Sequence, residues 1–489
     1  MLTPVELIEL NEPKKRPFPG TTDLLRIQSN HNQFSVALKI KNKLKECSMI
    51  STTHGIPNII RNPNKSLKLI WTICFLASTV TCAFLVLRSV SEYFEFDVVT
   101  KTRVFNQAQS SFPSITICDL NAFSTKFSAS FLKQIMIEEF GRDLTLENLT
   151  TSQFIQNFSY IQMKAIRKAS MPQFGDENRK ALGIPLEDSL YYCSFDSFDC
   201  LNNFTWHYDY SYGNCYTLEP PQTKNTGEFT GLFMIFFLPN SSNKYAFSIS
   251  KGLKVFIQNS SYSYSSTDGI EIRPSTKTNI GLKRTFSAKT PSPYSDCVDT
   301  LYLKAYIYYY FRNSSKLYRQ SDCLSLCKQK QIVDKCNCYI MVFPKWGNYS
   351  PCVNNTEMSC IAREFELYDK IFYKTCDLDC PLECDSSEIE YVISNSDFPN
   401  EIFWRYDRNN PFFKGQDLGY DEYKSRALAL NIYFKTLQYT LITESAKSSI
   451  VDLFSNVGGT LGLFLGISLL SFVEIVELAV EIFFVFWYK

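Results

Sequence analysis

The chain has 489 residues, 45% of them hydrophobic, and a formal net charge of +1. That length allows one large domain or several small ones, and the charge balance speaks against nucleic-acid partners and acidic substrates. No G-x-S-x-G, H-E-x-x-H, P-loop or dinucleotide fingerprint occurs, so neither an enzyme nor a cofactor is expected.

Residues 1–68 carry eleven Lys/Arg against five Asp/Glu, and Leu69–Leu87 is then nineteen residues without a charge. At about 1.5 Å per residue that run spans roughly 28 Å, close to a bilayer's hydrocarbon core. It lies too far from the N-terminus for a cleaved signal peptide. Its basic flank places the N-terminus in the cytosol. A second run of twenty-one uncharged residues, Leu453–Val473, is bracketed by Asp452 and Glu474. The expected organisation is a cytoplasmic tail over 1–65, a first span over 66–92, an extracellular domain over 93–448, a second span over 449–487 and a cytoplasmic end at 488–489. The localisation that follows is the plasma membrane, with both termini inside.

The segment between the spans has extracellular chemistry. N-x-S/T sequons stand at Asn148, Asn157, Asn203, Asn240, Asn259, Asn313, Asn348 and Asn354. Asn64 is also in a sequon, but on the cytosolic side. Fourteen of seventeen cysteines lie there too, an even number that suits an oxidised framework without giving its connectivity. Cys47, Cys74 and Cys82 are expected as free thiols. The spacings Cys323-x3-Cys327, Cys336-x-Cys338 and Cys376-x3-Cys380-x3-Cys384 are also compatible with zinc. The oxidising compartment and only three histidines, His31, His54 and His207, favour disulfides, and no metal site is expected.

Along the extracellular segment, "FPSITICDL" (112–120) alternates like a half-buried strand. "SASFLKQIMIEEFGRD" and "TSQFIQNFSYIQMKAIRKA" carry apolar residues at helical spacing and read as a glycosylated helical rim. "GLFMIFFLP", "GLKVFIQN", "IEIRP" and "LALNIYFKTLQYTLI" read as strands. "SDCLSLCKQKQIVDKC" gives a helix inside the cysteine-dense block 297–384. The fold class expected is an α+β membrane protein: two transmembrane helices and a large disulfide-rich extracellular domain, a central sheet with helical outgrowths.

In the second span Gly458, Gly462 and Gly466 recur every four residues, a spacing that also suits plain helix–helix packing. Glu474, Glu477 and Glu481 then fall within about 60° of one another around the helix. Carboxylates facing lipid cost about 2.5–3.5 kcal/mol each even on the permissive scale, so they must face water or a partner. No intramembrane Lys or Arg is available to pair with them. Carboxylate rings around a water-filled path favour cations. Two spans cannot enclose a pore, so an oligomer is required.

Several motifs, in order, resemble the degenerin/epithelial sodium channel family, which includes acid-sensing and peptide-gated channels. They are "STTHGI" before the first span, "SEYFEFDVVTK" and "FPSITICDLNAF" after it, "YGNCYT" (212–217), and "DLFSNVGGTLGLFLGISLLSFVE" in the second span. The likeness runs from about Ser51 to Glu481. It implies a trimer, homomeric or heteromeric, that is an amiloride-sensitive, sodium-selective channel. It also implies seven bridges: Cys118–Cys215, Cys193–Cys200, Cys297–Cys384, Cys323–Cys380, Cys327–Cys376, Cys336–Cys360 and Cys338–Cys352.

The resemblance further assigns roles. Gly466, Ile467 and Ser468 would break the second span as a selectivity filter, although Ser468 also reads as a back-bonded serine in a helix. Glu474, Glu477 and Glu481 would attract Na⁺ below it, with a solvated helix end as the other reading of Glu481. Ser455, Asn456 and the close-packed Gly459 would form the outer gate. A helix cap by Ser455 or Asn456 is the plainer alternative. His54 and Gly55 would lie in a re-entrant segment. Tyr93 and Tyr294 would couple the extracellular domain to the membrane, Tyr294 standing where tryptophan is more familiar.

The same topology occurs in ATP-gated channels, which lack Gly-x-Ser and this cysteine spacing. From another class, a non-conducting receptor is the rival. For the stimulus, the extracellular segment holds one histidine, His207. Ile361 and Ala362 stand where acid-sensing relatives place a carboxylate, and Asp97-Val98 lacks their histidines. Weak acid activation is therefore expected. The aromatic rim (Phe131, Phe140, Phe154, Phe158, Tyr160) offers either apolar pockets for a small neuropeptide or packing among its own helices. Peptide opening is the expectation, with proton, mechanical or constitutive opening as alternatives.

Overall fold

The computed structural model describes residues 38 and 40–487, apart from 142–150, 240–249, 260–268, 299–304, 315–316, 353, 368–372 and 414–417. Two compact units result, one of Met1–Asp97 with Ala446–Lys489, the other of Val98–Ser445.

The first unit contains the membrane segments. Lys65–Phe94 is a single 30-residue helix, long and apolar enough to cross a bilayer. Most of its large side chains are exposed, as suits a lipid-facing helix, while Cys82 is buried with its Sγ 3.9 Å from the Thr460 carbonyl oxygen. Cys47, Cys74 and Cys82 are free thiols. The second span is two helices, Ile450–Leu465 and Leu469–Trp487, bent by 73° at the break between them. The upper half starts at a capping box. Asp452 N–H donates to the Ser449 hydroxyl and Ser449 N–H donates to the Asp452 carboxylate. Ser455 and Asn456 are therefore interior helix positions, not caps. Where the chain leaves and re-enters this unit, Lys447 N–H donates to the Asp97 carbonyl at 2.9 Å and its ammonium meets the Asp97 carboxylate at 2.8 Å.

The second unit is built on two sheets. A seven-stranded sheet runs in the order Asp385–Asp397, Thr276–Ala288, Ala427–Ala446, Leu232–Phe237, Leu190–Phe195, Phe198–Asp199, with Val98–Phe105 also paired to Ala427–Ala446. A five-stranded sheet runs Ile270–Ile272, Leu253–Gln258, Ser114–Asp119, Gly213–Leu218, Phe204–Asp209. Period-two alternation sends Leu232, Met234 and Phe236 into the core, beside their register partners Ile432, Leu430 and Leu428. Ile115, Ile117 and Val255 of the second sheet join the same core. The expected strands at 112–120, "GLFMIFFLP", "GLKVFIQN", "IEIRP" and 428–442 all fall on observed strands.

Helices Lys126–Phe140 and Thr151–Ser170 form the rim, with Leu132, Ile135 and Met136 packed in one core with Ile161, Ala165 and Ala169. That i, i+3, i+4 spacing is the face the sequence presents. The rim aromatics serve this packing. Phe131 meets Phe174 at 5.2 Å and Phe140 meets Tyr160 at 6.0 Å between ring centres, while the side chains of Phe154 and Phe158 lie outside the described residues.

The cysteine-dense block is held by Cys323–Cys380 and Cys327–Cys376, which staple helix Gln320–Cys336 to helix Tyr373–Asp379 and the residue after it. Cys336–Cys360, Cys338–Cys352 and Cys297–Cys384 complete the block, Cys118–Cys215 bridges neighbouring strands, and Cys193–Cys200 ties strand Leu190–Phe195 to the residue after Phe198–Asp199. These are the pairs that the resemblance implies. Among the sequon positions, Asn203, Asn348 and Asn354 are exposed and Asn259 is half-buried. Asn157 and Asn313 lie on helices with undescribed side chains, and Asn148 and Asn240 fall outside the described residues.

Candidate ion pathway

The break in the second span is made by Gly466. Its φ of +69° is left-handed backbone that favours glycine, and its N–H closes the upper half onto the Gly462 carbonyl at 3.0 Å. Ile467 N–H reaches back to the Leu461 carbonyl at 3.3 Å. Ser468 then opens the lower half, and its N–H donates to the Ser471 hydroxyl at 3.0 Å. Ser468 is thus a helix-start residue, not a back-bonded serine within a helix.

A broken helix leaves carbonyls without partners, and something must satisfy them. Here the N-terminal segment does so. His54 N–H donates to the Leu465 carbonyl at 2.8 Å. The His54 ring lies so close to Gly466 that an added Cβ there would meet its Cγ at 2.7 Å. Gly55, at φ +95°, starts a short helix, Ile56–Arg61, and a Cβ on it would approach the Phe75 ring of the first span at 3.0 Å. His54 and Gly55 are therefore selected for different reasons: one fills the break, and the other turns the chain against the first span. The Thr52 and Ser471 hydroxyls meet at 2.8 Å, which adds a second tie.

Below the break, Thr52 N–H donates to Glu474 at 3.3 Å and the Lys43 ammonium meets Glu481 at 3.3 Å. Glu477 joins them around a cavity of about 360 Å³ lined also by Glu46, Cys47 and Ile50. Burial and then these three carboxylates push the Cys47 thiol above its ordinary range. The partners of Glu474 and Glu481, a backbone N–H and an ammonium, come from the N-terminal stretch and not from within the spans. Sequence reasoning therefore missed Lys43, which lies before the recognised motifs, and the contacts of Thr52 and Ser471, which lie inside "STTHGI" and the second-span motif.

Higher in the same helix, Ser455 and Asn456 are exposed. Gly459 is expected to be close-packed, yet a Cβ added to Gly458 or Gly459 meets nothing within 4 Å. Close packing there is not made among this chain's described residues. Tyr93, in the last turn of the first span, packs edge-on to Phe94 at 5.4 Å, whereas Tyr294 belongs to the sheet unit, its N–H donating to the Pro291 carbonyl at 3.2 Å.

In the sheet unit, burial holds the His207 ring below its ordinary pKa, so it stays neutral at physiological pH. The structure adds a titrating group that the sequence did not single out. Burial pushes Asp119 up to about 6, against the opposing pull of the Asn121 N–H and of Lys251.

Residues 48–478 match the family described as "Amiloride-sensitive sodium channel". The FMRFamide-activated amiloride-sensitive sodium channel of Cornu aspersum is 25% identical, with 94% of this chain and 86% of that one aligned. The bile acid-sensitive ion channel of Mus musculus is 24% identical, with 95% and 89% aligned. Epithelial sodium channel subunit gamma of Xenopus laevis is 29% identical over 62% of this chain and 47% of its own length. Among solved structures, the cryo-EM structure of a proton-activated chloride channel aligns with 86% of this chain and 98% of its own at TM-score 0.33 and 8% identity, too distant to bear on the assignment. The match over most of the chain, on the two spans and disulfide-stapled sheets described above, decides the matter: this chain belongs to the amiloride-sensitive sodium channel family.

Proposed function

We propose that three copies of this chain, or this chain with related subunits, form a sodium-selective pore opened by an extracellular ligand, with both termini cytoplasmic. In this reading Gly466, Ile467 and Ser468 are the selectivity constriction, and Glu474, Glu477 and Glu481 concentrate cations beneath it. Ser455, Asn456 and Gly459 form the outer gate, and His54 and Gly55 form the re-entrant support. The observation that carries it is the break at Gly466, where a membrane helix leaves α geometry between its two halves. Irregular backbone is tolerated at that depth only where it is buried in protein or lines a water-filled path.

A short peptide is the opener this reading favours. Support comes from the FMRFamide-activated relative and from the single extracellular histidine, His207, being held neutral. A bile acid-sensitive relative of equal similarity makes an amphipathic anion the second reading. The test is Ser468→Asp, Gly466→Ala and Glu474→Gln under voltage clamp, with surface expression measured in parallel. The first two should change the Na⁺/K⁺ permeability ratio or abolish current, and the third should lower conductance. Reversal potential and conductance unchanged in all three would refute the pore assignment.

A further inference from the structure

Arg167, in the helix Thr151–Ser170, is only 2% exposed. Its Nε donates to the Cys352 carbonyl at 2.7 Å, but neither terminal nitrogen has a hydrogen-bond partner. A guanidinium stays charged in proteins, and a buried charged donor without a partner is unfavourable and uncommon. The carboxylates whose charge acts on it are engaged elsewhere. Glu357 accepts from Asn354 N–H at 2.8 Å, and Glu139 accepts from the Tyr160 hydroxyl at 2.6 Å and pairs with Lys164 at 3.1 Å.

Arg167 also lines a cavity of about 440 Å³ whose other walls are mostly apolar, including Ile166, Met341, Met358 and Ile361. Met163, Val342 and Phe365 remain exposed around it, at 37%, 55% and 39%, so it opens to solvent. The volume lies within the usual range of about 300–1,000 Å³ for small-molecule sites, and methionine walls adapt to irregular apolar bodies.

We propose that this cavity binds a small amphipathic carboxylate, of which a medium-chain fatty acid is the simplest case. Its carboxylate is held by the two free nitrogens of Arg167 and its apolar body lies against the methionines. A planar fork of donors matches a carboxylate in two parallel hydrogen bonds, which is the arrangement the unpaired nitrogens offer. Such a ligand bridges the rim helix to the cysteine-dense block, since Arg167 is already tied to Cys352 and Met358 belongs to the next helix, Asn355–Leu367. Binding itself does not depend on the channel reading; only its effect on current does.

The probe is radiolabelled dodecanoate, below its micelle concentration, with the full chain in nanodiscs. Dodecanol, with the same body and no charge, controls for partition into lipid. The wild type should bind dodecanoate saturably and at least tenfold tighter than dodecanol. Arg167→Met should weaken binding at least tenfold, and Arg167→Lys should restore part of it. Met163→Trp, which fills the mouth from an exposed position and leaves Arg167 intact, should abolish saturable binding. Equal competition by dodecanol, unchanged binding in Arg167→Met, or saturable binding surviving Met163→Trp would each overturn the proposal. Should Arg167→Met fail to fold, the dodecanol comparison and Met163→Trp decide it. Binding without any amiloride-blocked current would refute the channel reading and leave this one standing.

Discussion

Gly466→Ala is the smallest change that strikes the break in the second span. Two effects act together. At φ +69° a residue with a Cβ sits in left-handed backbone, which costs roughly 1–2 kcal/mol. The new methyl also lies 2.7–2.8 Å from three atoms of the His54 ring, so the ring must move. Movement of the ring strains the 2.8 Å bond from His54 N–H to the Leu465 carbonyl, worth about 1 kcal/mol. The sum, roughly 2–3 kcal/mol, shifts the population of the native break about 30- to 150-fold at 1.4 kcal/mol per decade. Voltage clamp with surface labelling should show normal delivery and a large loss of amiloride-blocked current or of Na⁺/K⁺ selectivity. Gly466→Ala with His54→Ala should recover part of the loss, since the ring is gone while the φ strain stays. A single mutant with wild-type conductance and selectivity, or a double mutant no better than the single, would refute the reasoning.

Lys43→Met removes the countercharge from Glu481, so single-channel Na⁺ conductance should rise modestly. The pair is about 40% exposed on each side, which makes the effect small and sensitive to salt, and no change at low ionic strength would count against the pairing. Ser455→Cys treated with a bulky thiol reagent should hold channels open, because added volume where the proposed subunits' helices cross prevents closure. Verified modification without a rise in current would remove Ser455 from the gate. Asp119 has its folded pKa raised from 3.8 to about 6, so the folded state binds its proton more readily than the unfolded chain does. Stability should therefore fall as pH rises from about 4 to 6, and Asp119→Asn should flatten that slope and raise the melting temperature at pH 7.4. An unaltered slope would mean the carboxylate is better solvated than its burial implies. A step from neutral pH to about 5 should give no large transient Na⁺ current.

Much of this was legible in the sequence because local pattern and tertiary demand agree. The strands at 114–119, 232–237 and 253–258 alternate or run apolar since both sheets contribute to one core. The strand Asp385–Asp397 escaped notice because it lies at a sheet edge with every residue at least partly exposed, and its short alternation of Ile389, Tyr391 and Ile393 is flanked by Ser, Asn and Asp. The glycine and serine of the break were visible as a motif, but its partners were not. Lys43 and Glu481 are 438 residues apart, and nothing in either stretch signals the other. Sequence reasoning counted the glutamates as unpaired because it looked for cations inside the spans, whereas the countercharge to Glu481, Lys43, arrives from the tail. Asp119 was passed over as an ordinary strand-end residue, since desolvation is set by what packs around it. Arg167 sat in the basic last turn of a helix, where cations normally favour solvent and the helix dipole.

The most direct measurement of the central claim is the purified full chain in a planar bilayer under opposed Na⁺ and K⁺ gradients, with amiloride added to the extracellular face. The account predicts a current that reverses near the Na⁺ equilibrium potential and is blocked by amiloride. A folded, correctly disulfide-bonded protein that carries no current under a broad panel of peptides, acid and membrane tension, or one that conducts K⁺ as readily as Na⁺, would contradict it.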